Sequence, residues 1–146
     1  MEIAVLALGC FWGPEIKFGK LEGVVKTEVG YCGGNSENTT YEKVCSGNTN
    51  HAEVVKLEFD PVKISYEKIL EYFFNIHDPT TLNAQGPDIG TQYRSEIFYL
   101  NDNQKNIAEK IIEENNSKLA GRVVTKLSPL KNYCKAEEYH QKYLDK

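Results

Sequence analysis

The apolar run Ile3-Ala4-Val5-Leu6-Ala7-Leu8 opens the chain almost without interruption and predicts a short buried strand. Pro14 then falls where the first turn of a helix tolerates a missing N–H, so the chain is expected to pass from strand to helix through Gly9-Cys10-Phe11-Trp12-Gly13. That helix should stop between Gly19 and Gly23. Val24 to Tyr31, rich in β-branched residues, predicts a second strand, which Gly33-Gly34-Asn35 breaks. Ser36 to Asn50 is polar and reads as a long loop with Tyr41, Val44 and Cys45 as its anchors.

From Glu53 to Phe59, Val54, Lys56 and Glu58 alternate with Val55, Leu57 and Phe59, the period of a half-buried strand, and Asp60-Pro61 closes it. Ser65 is placed to cap a helix whose Tyr66, Ile69, Leu70, Phe73 and Phe74 follow the spacing of an amphipathic core stripe. His77 to Arg94 is too long and too polar for a connector and reads as a site loop. Ser95 to Leu100 predicts a strand, and Asp102 the cap of a charged helix with Ile107, Ile111 and Ile112 inward. Val123 to Leu127 reads as a last strand and Ala136 to Leu144 as a short helix or turn. Strands and helices are intermixed, which predicts an α+β fold: one two-layer α/β sandwich with a mixed sheet and long polar loops, spanning residues 1–146.

A chain of 146 residues is long enough for one domain with its own core. Its net charge of −4 gives no basic footprint, so neither nucleic acid nor a membrane surface is expected as a partner. Glu2 before a short apolar run lacks the features of a signal peptide, and the expected location is cytoplasmic. The four cysteines, at 10, 32, 45 and 134, show no C-x-x-C pair or metal-ligand spacing; no metal site is expected, and in a reducing compartment they should be free thiols.

Cys10 stands near the start of a helix, where unpaired N–H groups and the helix dipole favour the thiolate and should lower the thiol from its usual value of about 8.5. Taken alone, the same placement fits a buried, inert cysteine at least as well.

Seven ordered segments change that balance. They are Gly9-Cys10-Phe11-Trp12-Gly13, Gly30-Tyr31-Cys32-Gly33-Gly34, Thr40-Tyr41-Glu42-Lys43-Val44-Cys45-Ser46-Gly47, His51-Ala52-Glu53-Val54-Val55, His77-Asp78-Pro79-Thr80-Thr81-Leu82-Asn83, Gly90-Thr91-Gln92-Tyr93-Arg94-Ser95 and Ala136-Glu137-Glu138-Tyr139-His140-Gln141. Together they cover nearly the whole chain, and the chain resembles peptide methionine sulfoxide reductase, type A.

The resemblance implies reduction of the S epimer of free or peptide-bound methionine sulfoxide through a cysteine sulfenic acid, a repair reaction without metal or organic cofactor. It assigns Cys10 as nucleophile and Glu53 as proton donor, whose carboxyl must then be raised by an apolar pocket. Tyr41 and Tyr93 would hydrogen-bond the sulfoxide oxygen where negative charge develops. Phe11 and Trp12 would wall the methyl pocket, and Asp88 would receive the substrate's backbone amide. His51, His77 and His140 lie in motifs too but read as structural.

Two features depart from the family's pattern. Pro14 stands where a small or aliphatic residue is usual, a harmless change in a first turn. Many members carry resolving cysteines in a glycine-rich extension after the Tyr-His-Gln motif, and the chain's end at Lys146 implies that the usual one is missing. Direct reduction by a small thiol, glutaredoxin or thioredoxin is therefore expected of a monomer, with Cys134 and Cys32 as lesser resolving candidates and Cys45 expected to be buried. A thiol-based redox sensor or sulfoxide-binding module would share the pocket but lack turnover. A cysteine acyl transferase would need a Cys-His signature that is not visible.

Overall fold

The structure is a computed structural model and describes residues 1–35, 39–46 and 49–142. In chain order the first elements are β1 (Glu2–Leu8), α1 (Trp12–Gly19), β2 (Val24–Cys32), α2 (Tyr41–Cys45), β3 (Ala52–Phe59) and α3 (Tyr66–Asn75). A two-stranded hairpin, β4 (Ala84–Gln85) and β5 (Asp88–Ile89), follows, and then a 3-10 turn at Thr91–Tyr93. The chain continues with β6 (Ser95–Tyr99), α4 (Asp102–Lys118), β7 (Lys126–Pro129), β8 (Cys134–Lys135) and a second 3-10 turn at Glu138–His140. The main sheet has the order β7-β6-β1-β3-β2-β8. Its neighbours are antiparallel except for the parallel β6–β7 pair, so the expected mixed α+β sheet is present.

On one face of the sheet, Ala4, Leu6 and Leu8 of β1 join Val55, Leu57 and Phe59 of β3 beneath Phe18 of α1, Ile69, Leu70 and Phe73 of α3 and Ile111 of α4. Each fully buried leucine, isoleucine or phenylalanine of this layer contributes about 1.5–3 kcal/mol. The opposite face buries Val5, Ala7, Cys32, Ala52, Val54 and Phe98 beneath Tyr133 and the chain around it. Lys131 and Asn132 tie that cover to the Gly33-Gly34 turn: Gly33 N–H donates to the Lys131 carbonyl at 2.8 Å and Asn132 Nδ2 to the Gly34 carbonyl at 2.7 Å. β3 is therefore buried on both faces, although its alternation predicts exposure of one.

Ser65 caps α3, accepting from Lys68 N–H at 3.1 Å, and the apolar stripe of this helix is core as expected. Four expectations are corrected. Asn101, in extended backbone, caps α4 by accepting Gln104 N–H at 2.9 Å, so Asp102 lies in the first turn instead. The last long strand begins at Lys126 because Val123 N–H is taken by Asn116 Oδ1 and Val124 N–H by the Pro79 carbonyl. The polar loop from Ser36 to Asn50 contains α2, capped by Thr40; residues 36–38 and 47–48 of that loop lie outside the described residues, as do residues 143–146 of the tail. Cys45, at the end of α2, is exposed. Among the described residues, no helix is long and apolar enough to cross a membrane.

Candidate active site

β1 delivers Cys10 through Gly9, whose φ of +102° suits glycine and whose missing side chain leaves room for the hairpin: a Cβ there would stand 2.8 Å from Gln85 Cβ. The hairpin thus packs on the turn and brings Asp88, opposite Gln85, toward the thiol. Phe11 is the N-cap of α1, and the Trp12 N–H donates to the Cys10 sulfur. This is the helix-start geometry that the sequence predicts, but its electrostatic consequence is reversed. Burial pushes the Cys10 thiol up to about 11; the Trp12 hydrogen bond opposes this, while Glu53, Asp88 and Cys45 add to it through repulsion. At neutral pH Cys10 therefore rests as a protonated thiol.

Glu53 lies beside it. The carboxyl is 1% exposed and accepts the Phe11 N–H on Oε1 at 3.3 Å. Burial raises it to about 8, against the Phe11 hydrogen bond and with a further push from Asp88. The carboxyl is therefore largely neutral at pH 7 and carries a proton next to the thiol, the state that a proton donor requires.

Tyr41 from α2 and Tyr93 from the first 3-10 turn close the site and share a hydrogen bond. Burial raises both phenols, Tyr93 to about 12, so each keeps its hydroxyl proton as a donor. Tyr41 is held by Glu137, which accepts the Tyr41 N–H at 3.0 Å and the Tyr31 hydroxyl at 2.8 Å. Burial pushes the Glu137 carboxyl up, but these hydrogen bonds outweigh it and keep it below the usual carboxylate value.

Phe11 is buried against Tyr31 and His140, with ring centroids 5.7 and 5.4 Å apart. Trp12 is half-buried and donates Nε1–H to His140 Nδ1 at 3.1 Å, which leaves the histidine proton on Nε2. His140 also lies 4.5 Å from the Tyr41 ring and 4.2 Å from Tyr139. Sequence reasoning gives His140 only a structural place, whereas the structure puts it in the aromatic wall of the site. Its seat comes from Gln141, whose amide accepts Val29 N–H and donates to the Val29 and Ala136 carbonyls at 2.9–3.0 Å, extending the edge of β2 as a peptide unit would. The Tyr-His-Gln motif carried that signal. His77 has the structural role expected of it: Nδ1–H donates to the Phe73 carbonyl at 2.6 Å, Nε2 accepts from Ser95 at 2.7 Å, and burial lowers the ring to about 4.

The remaining thiols are spread around this centre. Cys32 is fully buried on the face of the sheet opposite Glu53, with its sulfur 3.2 Å from the Lys131 carbonyl. Cys134 pairs across the sheet with Tyr31, which in turn pairs with Glu53. Cys45 stands one helical turn after Tyr41, contrary to the expectation that it is buried. All four are free thiols. Cavities of about 300 and 270 Å³ lie away from Cys10, along α1 and β2 and beside the Arg94–Glu96 ion pair. Chemistry, not cavity size, marks the site.

The family model described as peptide methionine sulfoxide reductase matches residues 2–146. A curated peptide methionine sulfoxide reductase of Pelagibacter ubique is 76% identical over 146 residues, covering all of this chain and 99% of its own. Among solved structures, methionine sulfoxide reductase A of Corynebacterium diphtheriae superimposes with a TM-score of 0.95 at 39% identity, over 99% of this chain and 74% of that one. Mxr1 of Saccharomyces cerevisiae, in complex with Trx2, superimposes with a TM-score of 0.68 at 30% identity, over 97% of this chain and 84% of that one.

Proposed function

This chain belongs to the peptide methionine sulfoxide reductase family and is an enzyme of methionine sulfoxide reduction, and we propose that it reduces the S epimer through a sulfenic acid on Cys10. The observation that carries this reading is the buried, proton-bearing Glu53 anchored on the residue next to Cys10. In the proposed reaction the substrate methyl group rests against Phe11 and Trp12, the Asp88 carboxylate takes the amide of the substrate, and Tyr41 and Tyr93 donate to the sulfoxide oxygen. Glu53 passes its proton to that oxygen as the Cys10 sulfur attacks the substrate sulfur, and it recovers a proton from the thiol. In the adduct so formed the substrate's S–O bond and the new S–S bond break as the oxygen passes, with its proton, to the Cys10 sulfur, which ends as a sulfenic acid. The cysteine sulfur loses two electrons, the substrate sulfur gains them, and methionine leaves.

Placing the acid in a dry pocket serves this sequence twice. A neutral Glu53 can donate, and it removes the negative charge that would otherwise oppose the forming thiolate. The part of the repulsion on Cys10 that an ionised Glu53 would exert is absent in that protonation state.

A thiol reductant must return Cys10 to its starting state. The yeast relative's complex with Trx2 supports thioredoxin in that role here, and glutaredoxin or a small thiol offers the same chemistry in a cytoplasmic setting. The test is turnover on both sulfoxide epimers with dithiothreitol as reductant. Loss of the S epimer with the R epimer untouched is expected. Binding without turnover would replace this reading with that of a sensor or binding module.

A further inference from the structure

We propose that Arg94 is a positioning residue for Tyr93, fastening the turn that carries this phenol to the chain entering β3, an inference that rests on the role given to Tyr93 above. Arg94 stands one residue before β6, whose Ser95 pairs with Leu8 at the end of β1. Its guanidinium spends one nitrogen on each of three acceptors. Nε–H donates to Glu96 Oε1 at 2.6 Å, Nη1–H to the Thr91 carbonyl at 2.9 Å and Nη2–H to the Asn50 carbonyl at 3.1 Å. Thr91 opens the 3-10 turn that ends at Tyr93, and Asn50 stands two residues before β3, the strand that carries Glu53. One planar cation therefore joins the segments that deliver two of the groups assigned to the sulfoxide oxygen.

The turn depends on this outside support. A 3-10 helix of three residues has poorer hydrogen-bond geometry than an α-helix. Its own bonds, from Tyr93 N–H to the Gly90 carbonyl and from Arg94 N–H to the Thr91 carbonyl, are 3.0 and 3.2 Å long. The guanidinium gives the Thr91 carbonyl a shorter second bond, and a bond from an ionised donor is roughly twice as strong as a neutral one. The turn also packs on β3, so loosening it shifts the Tyr93 hydroxyl relative to Glu53.

The cost of the arrangement argues for a positional role. Arg94 and Glu96 are 7% and 4% exposed, and two charges taken out of water commonly stabilise a fold no better than well-packed apolar side chains do. An apolar pair cannot hold two carbonyls at fixed distances. The fork is itself held in place: Glu96 takes Nε–H while its Oε2 accepts from Ser128 of β7 at 2.6 Å. Gly33, at a φ of +79°, leaves the guanidinium its room, since a Cβ there would stand 3.2 Å from Nη2.

The test replaces the ion pair by apolar side chains of similar length, Arg94→Met/Glu96→Met, which removes the fork without stranding a buried charge. Single-turnover methionine formation is measured in this paired variant, in Tyr93→Phe and in the two combined, each checked for its native fold by circular dichroism. The paired replacement should slow the saturating rate by roughly 10- to 10²-fold, the effect of misplacing a reacting group by about 1 Å, with the half-saturating sulfoxide concentration little changed. In the Tyr93→Phe background the same replacement should cost less than about twofold, because the hydroxyl that Arg94 positions is gone. A merely structural role would lower stability alike in both backgrounds and leave the folded enzyme's rate alone. An unchanged rate in the folded paired variant, or an equal loss in both backgrounds, would overturn the proposal and leave the reductase reading standing. No methionine from the folded wild-type chain would overturn both. Should the paired variant fail to fold, Arg94→Lys takes its place in the cycle: the ammonium keeps a cation beside Glu96 but lacks the planar fork that reaches both carbonyls, and the same results decide.

Discussion

Glu53 on β3 accepts the backbone N–H of Phe11 at 3.3 Å, so this carboxyl is fixed to the residue that follows Cys10. Strand pairing sets this arrangement: β1 and β3 are neighbours in the sheet, and the turn after β1 passes over the start of β3. Neither group is in its ordinary protonation range, because burial raises both. The site holds two neutral, proton-bearing groups side by side where a surface site would hold two anions.

Cys10→Ser should abolish methionine formation, since a hydroxyl in this buried setting cannot supply the polarisable nucleophile. Single-turnover release of methionine measures it. Serine turnover at more than a trace would remove Cys10 from the mechanism.

The raised Cys10 thiol makes a separate prediction for the substrate-free enzyme. Alkylation by iodoacetamide at pH 7 should modify exposed Cys45 well before Cys10, and the Cys10 rate should climb as pH rises toward about 11. Quantitative peptide mapping of the alkylated chain gives both rates. Preferential labelling of Cys10 would show that its thiol is activated at rest, as helix-start placement alone suggests.

How far the sequence reads depends on what each signal reports. The core stripe of α3, the β3 alternation and the Ser65 cap were legible because they are local and periodic. The second layer over β3 was not, since it is built by Tyr133 and the Lys131–Gly33 contact from distant parts of the chain. α2 was hidden because five residues carry too little periodicity to register, although Thr40 capping Lys43 N–H was there to be read. The proposed site residues came from ordered motifs, and the sense of the Glu53 shift from the chemistry that a proton donor requires. The Cys10 shift came out reversed because helix-start reasoning counts the Trp12 N–H but not the burial or the Glu53 and Asp88 charges brought in by other strands.

Tyr41→Phe or Tyr93→Phe should each slow the chemical step, and the double variant should lose roughly 10²- to 10³-fold, the usual worth of an oxyanion donor. The two hydroxyls share a hydrogen bond, so the single losses should not add. Single-turnover rates of all four enzymes form the test cycle. Strict additivity would mean that the phenols act independently.

Glu53→Gln should slow the chemical step by roughly 10²- to 10⁴-fold, because the amide can hydrogen-bond the oxygen but cannot yield a proton. With the neutral acid as the active form, the wild-type single-turnover rate should fall as pH rises through about 8. The residual rate of the glutamine variant should lack that limb. A limb at about 8 in both enzymes would assign it to another group.

The same substitution should stabilise the fold, and the sign follows from linkage. Glu53 holds its proton to about 8 when folded but only to its ordinary 4.5 when exposed. Between those values the folded chain binds more protons than the unfolded one, so stability falls as pH rises. The contribution of the protonated carboxyl is fully present below pH 4.5 and lost as pH passes 8. Glutamine stays neutral throughout. The stability gap in its favour should therefore widen from pH 5 to pH 8 and then level, reaching on the order of a few kcal/mol once water entry around the ionised carboxylate is allowed for. Urea midpoints of the two proteins across that range measure the gap. Parallel midpoint curves would mean that Glu53 ionises in the fold as it does in water, leaving the site without its buried proton donor.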